Sequence, residues 1–62
     1  MNEELEQIRK NITTELVKLD GTRYDYRHEL TGEEWEDLDK AGDKISAAIG
    51  AIMRVLNNRK EN

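Results

Sequence analysis

Seven carboxylates, Glu29, Glu33, Glu34, Glu36, Asp37, Asp39 and Asp43, fall within fifteen residues that contain a single lysine, Lys40. Carboxylates at helical spacing are the oxygen donors that Mg²⁺ accepts, and paired carboxyl groups can serve as acid and base. Helical metal enzymes draw such ligands from several helices that face inward, often as Glu-x-x-His pairs. That pairing is missing, and the N-terminal segment adds only Glu15 on or near its apolar side, so neither a metal nor an enzyme is expected. Two readings of the cluster stay open. It offsets the positive end of a helix dipole, where each acidic group contributes about 0.3–1 kcal/mol, or it is a docking surface for a larger protein with a basic patch. On the second reading Glu29, Glu33, Glu36, Asp37, Asp39 and Asp43 are the contact residues. Charge complementarity there would speed association and reject wrong partners.

His28 is the single histidine, and general acid–base work would require a pocket and a second positioned group. It is expected to pack against Trp35 or to cap a helix. Ser46, Thr13 and Thr14 have no basic partner in a nucleophile pattern. Tyr24, Tyr26 and Trp35, bracketed by Arg23 and Arg27, are residue types enriched at interface hot spots. Tyr24, Tyr26 and Arg27 are therefore either a binding epitope or a lid over the end of a helix pair.

The elements that must position these groups are helical. From Thr31 to about Asn57, Leu38, Ala41, Ile45, Ala48, Ile52 and Val55 recur at alternating spacings of three and four, and Trp35, Gly42, Ile49 and Leu56 form a second row every seventh residue. This is an apolar stripe wider than a two-stranded coiled coil needs. Thr31-Gly32-Glu33-Glu34 is a capping box, with Leu30 and Trp35 placed as a hydrophobic staple. The helix is expected over about 32–57, about 38 Å at ~1.5 Å per residue, with Asn58 to Asn62 frayed. Upstream, Leu5, Ile8, Ile12, Leu16 and Leu19 mark a helix over about 3–19. Acidic groups lie in its first turn, Lys18 in its last, and Asp20-Gly21 supplies the stop.

Three readings of residues 22–30 are open: the second arm of a β-hairpin turning at Asp20-Gly21, a short helix from Arg23 to Leu30 capped by Thr22, or an irregular connector. The chain is expected to be one all-α unit, a helical hairpin.

At 62 residues without cysteine, the chain has neither a disulfide nor a thiolate metal site to reinforce a small core, which leaves a partner chain. Between Ile45 and Leu56 the sequence is apolar or small almost all the way round, with Ala47, Gly50 and Ala51 off the seam. A homodimer or higher helical bundle follows as the expectation, its interface formed by Ile45, Ala47, Ala48, Ile49, Gly50, Ala51, Ile52, Val55 and Leu56.

A net charge of −4 argues against direct nucleic-acid binding, which needs a lysine and arginine surface. The start of the chain lacks the basic region and apolar run of a secretion signal, and no apolar stretch approaches the ~20 residues that span a bilayer. The expected protein is cytoplasmic, without membrane or cofactor. In size and composition it resembles the small acidic accessory proteins of phages and mobile elements. The expected function is non-enzymatic protein binding, as an inhibitor or adaptor. The alternatives are a nucleic-acid mimic that blocks a DNA-binding protein and a purely structural oligomerisation module.

Overall fold

The computed structural model describes residues 1–61 and contains two α-helices, α1 (Asn2–Asp25) and α2 (Gly32–Glu61), joined by residues 26–31. The helices lie side by side as an antiparallel hairpin with extents of 49 × 16 × 12 Å. Among the described residues, no helix is long and apolar enough to cross a membrane.

Helix α1 starts without a side-chain cap; Leu5 N–H bonds the Met1 carbonyl at 3.1 Å, and the terminal ammonium lies 3.4 Å from Glu4. Glu3 and Glu4 in the first turn and Arg23 in the last suit the helix dipole. Its two central threonines are accommodated by back-bonding: the Thr13 hydroxyl donates to the Arg9 carbonyl at 2.7 Å and Thr14 to Lys10 at 3.1 Å. The helix runs well beyond the expected stop at Asp20-Gly21. Gly21 adopts ordinary helical geometry, with no positive φ among the described glycines, and nothing lies within 4 Å of the Cβ it lacks. An interior glycine costs about 1 kcal/mol relative to alanine. The extra turn offsets that cost by carrying Arg23 onto the second helix.

The chain reverses through a run of short-range bonds. Tyr26 N–H donates to the Thr22 carbonyl (3.0 Å), Arg27 N–H to Tyr24 (3.2 Å), and the N–H groups of Glu29 and Leu30 to Tyr26 (2.9 and 3.2 Å). Residues 22–30 therefore form neither a strand nor a helix from Arg23 to Leu30. They are the last turn of α1 followed by a compact connector. Tyr26 ends α1 at φ −101°, ψ 17°, a conformation open to any residue, so no glycine is needed there.

The start of α2 is as expected: Glu34 N–H donates to Thr31 Oγ1 at 3.0 Å, and Thr31 N–H donates to the Glu34 carboxylate at 2.9 Å. The first helical bond, Trp35 N–H to the Thr31 carbonyl, is 2.9 Å. At its far end α2 does not fray at Asn58 but stays helical through Lys60, where Arg59 and Lys60 complement the negative end of the dipole. Asn62 lies outside the described residues.

The interhelical seam is formed by Trp35, Leu38, Gly42, Ile45, Ile49, Ile52 and Leu56 of α2 and by Leu5, Arg9, Ile12, Leu16, Leu19 and Arg23 of α1, all half-buried or buried. Both rows alternate spacings of three and four. The side chain that Gly42 lacks would meet Leu16 Cδ1 at 3.6 Å and Asp20 Oδ1 at 3.9 Å, so the helices approach closely here. Two expectations change. Ala41, Ala48 and Val55 do not form the centre of the seam: Ala41 is half-buried, while Ala48 and Val55 are exposed, because the second row, Trp35, Gly42, Ile49 and Leu56, takes the place against α1, its glycine admitting the close approach and its large side chains filling the seam on either side. On α1, Ile8 is exposed and Arg9 occupies the seam position instead. Leu56, 4% exposed, is the one large apolar side chain sealed from solvent among the described residues.

Candidate interaction site

The reversal end of the hairpin, the tip, is organised by Arg23. Its guanidinium stacks 3.5 Å from the Trp35 ring centroid, Nε donates to the Trp35 carbonyl at 3.0 Å, and Nη1 lies 3.6 Å from Asp39 Oδ1. Three kinds of attraction thus converge on one side chain that is 18% exposed. A cation over an indole face is worth ~0.5–2 kcal/mol, rising as the pair is desolvated. Arg23 thereby fixes the end of α1 against the first turns of α2. His28 is exposed, and the group that lies over Trp35 is Arg23 rather than His28.

The aromatic epitope divides into a held part and an offered part. Trp35 is half-buried under Arg23, whereas Tyr24 and Tyr26 are 60% and 54% exposed. Arg27 stacks 4.1 Å from the Tyr24 ring centroid and donates from Nη1 to the Tyr24 carbonyl at 2.8 Å, which reduces the motion of both exposed groups. All seven carboxylates of the acidic cluster are exposed. Glu34 is used by the capping box and Asp39 faces Arg23; Glu29, Glu33, Glu36, Asp37 and Asp43 stand in solvent around the same end. No group of three or more His, Asp or Glu side chains is placed to hold a metal among the described residues.

The other end of the hairpin joins the apolar seam to a charged margin. Glu6, Arg9, Met53, Leu56, Asn57 and Lys60 line a shallow concavity there. Arg9 donates to the Glu6 carboxylate at 3.1 Å. That hydrogen bond holds the Glu6 carboxyl below its ordinary value, against a smaller opposing effect of desolvation. Of the residues expected at an oligomer interface, Ile45, Ile49, Ile52 and Leu56 lie on the seam with α1, while Ala47, Ala48, Ala51 and Val55 are exposed. Gly50 is half-buried because Arg54 folds back over it, with Nη1 3.5 Å from the Cβ position.

Arg23 and Arg9 are the two side chains that the apolar pattern misses. Both continue the alternating spacing of Leu5, Ile12, Leu16 and Leu19, so register alone places them on the seam, and long basic side chains can cover apolar surface with their stems. Compared with known protein families, curated proteins and solved structures, the chain matches none.

Proposed function

We propose that this chain is a cytoplasmic, non-enzymatic protein-binding module, an inhibitor or adaptor that assembles with itself and presents its tip to a larger protein with a basic patch. The observation that carries the reading is the division of labour at the tip. Arg23 ties down Trp35 from within, and two half-exposed tyrosines, a stacked Arg27 and five solvated carboxylates remain on a pre-organised surface. Tyrosine and arginine provide large contact area with little conformational entropy to lose once they are held. The carboxylates supply steering toward positive charge and rejection of acidic partners. The concavities are shallow and solvent-open, and among the described residues no nucleophile and base are paired along them, which favours a surface that binds over one that reacts.

The test compares the unmodified chain with two variants, one carrying Glu33→Gln, Glu36→Gln and Asp37→Asn, the other Tyr24→Ala and Tyr26→Ala. All five positions are exposed, so both variants should keep the helical content of the parent. Captured from the native cell, one specific protein should be retained by the parent and lost by both variants. Its retention by both would overturn docking through the tip and leave a purely structural oligomerisation module.

A further inference from the structure

The hairpin exposes 4961 Å², whereas a compact monomer of its 7.2 kDa mass exposes about 4,100 Å² by the scaling that folded monomers follow. The excess, roughly 800 Å², matches what each partner contributes to a protein–protein interface of standard size. One flank is suited to lose it. A rotation of about 100° per residue places Ile8, Ile12 and Leu19 of α1 on the same side of the hairpin as Ala41, Ala48 and Val55 of α2. Ile8 and Val55 there are 46% and 44% exposed, and Ala48 is exposed. Glu15 borders this flank; the opposite flank also exposes Val17 (67%) and Met53 (46%), but these stand apart along the rod, with Thr13 and Ser46 between them and Glu6, Asn57 and Lys60 alongside Met53. Ala41 and Ala48 also let a neighbouring backbone come close, within the 8–10 Å typical of packed helices.

Charge selects the occupant's direction. The contacts of Leu16 with the Gly42 position and of Arg23 with Trp35 set the register of the hairpin, so a cut across its middle separates residues 13–46 from 1–12 and 47–61. The tip half holds ten carboxylates against five lysines and arginines, net −5; the open half holds four against five, net +1. Two copies packed with tips together would place both −5 halves side by side. Two copies packed tip to open end set −5 against +1 on each side. We infer that the flank of Ile8, Ile12, Ala41, Ala48 and Val55 receives the same flank of a second copy, related by a two-fold axis across the rod, with the two tips at opposite ends. This rests on the protein-binding reading above and makes the assembly bivalent, offering one tip epitope in each direction.

Sedimentation equilibrium of the full chain at micromolar concentration should give twice the 7.2 kDa of one copy. Because the chain has no cysteine, a single His28→Cys substitution at the exposed tip takes one spin label per copy. The label-to-label distance should then approach the 49 Å length of the rod. Ala48→Glu, at a position exposed in the single hairpin, should keep the helical signal and weaken dimerisation at least ~100-fold by burying an unpaired charge. Met53→Glu on the other flank should leave dimerisation unchanged. A single copy at all concentrations, a stoichiometry other than two, adjacent tips, or a dimer weakened by Met53→Glu and spared by Ala48→Glu would each overturn the proposal. None of these results touches the partner-capture comparison, so failure of the antiparallel dimer is distinguishable from failure of tip docking.

Discussion

At the tip, Arg23 alone reaches three groups of the facing helix, an indole ring, a carbonyl and a carboxylate. Toward the open end the helices meet through rows of leucine and isoleucine, with Arg9 among them, and of these side chains only Leu56 is sealed. The difference is one of geometry as much as of chemistry. A ring stacked under a guanidinium, with a hydrogen bond alongside, has a fixed direction. Aliphatic burial is non-directional and scales with the area removed from water, at about 25 cal/mol per Å². The tip therefore defines where the helices sit relative to one another, and the open end contributes stability only to the extent that something covers it.

The largest expected effect is at the tip. Trp35→Ala removes the ring beneath Arg23 and should destabilise the hairpin by about 2–3 kcal/mol, from half-burial of an indole together with the cation contact. A urea or thermal melt followed by circular dichroism measures it. Ile8→Ala on the exposed flank is the matched control; below the concentration at which copies associate it should cost under ~1 kcal/mol, since little of its area is removed from water. Equal losses in the two variants would erase the contrast between the ends.

Next comes the cap. Thr31→Ala deletes the hydroxyl that accepts from Glu34 N–H and should cost about 1 kcal/mol, whereas Thr31→Ser should restore most of it. A shift of ~4–8 °C per kcal/mol is expected for a domain of this size.

Gly21→Ala should act in the opposite direction. The residue is helical with open space around its Cβ position, so alanine should stabilise by about 0.5–1 kcal/mol. A destabilisation would mean that the helix ends at Asp20 in solution.

The smallest effect belongs to Glu6. Its carboxyl is held below the ordinary value by Arg9, so the folded state binds this proton less readily than the unfolded chain does. The contribution is present above the ordinary carboxylate range and is lost as the pH falls below it, through the lowered pKa of the folded state. Glu6→Gln should remove that part of the acid dependence of the melting temperature, without changing the response of the tip.

The part of this architecture that sequence makes readable is the local part. Thr31 and Glu34 stand three residues apart and satisfy one another without help from α1, so their motif suffices to start α2. The end of α1 is different. Asp20-Gly21 has the composition of a stop, and what overrides it is the contact of Arg23 with a residue twelve positions away. The two apolar rows of α2 pose a similar problem. They share the same spacing and lie side by side, so the rotation that turns Trp35, Ile49 and Leu56 toward α1 and leaves Ala48 and Val55 outside depends on side-chain volume in a partner helix. The candidate site divides along the same line. The exposure of Tyr24, Tyr26 and the carboxylates follows from their polarity and position, whereas the withdrawal of Trp35 and Arg23 from the epitope into mutual contact is a tertiary event.

The brevity of the connector also has a kinetic side. Loops of about ten residues close in ~10–100 ns, and the pairing of Arg23 with Trp35 spans a ring hardly longer than that. Assembly can begin at the bend and zip outward, each successive pair brought near by the one before it. Of the seam residues, Leu5 and Leu56 lie farthest along the rod from Arg23 and Trp35, so on this zipper they are the last pair to meet.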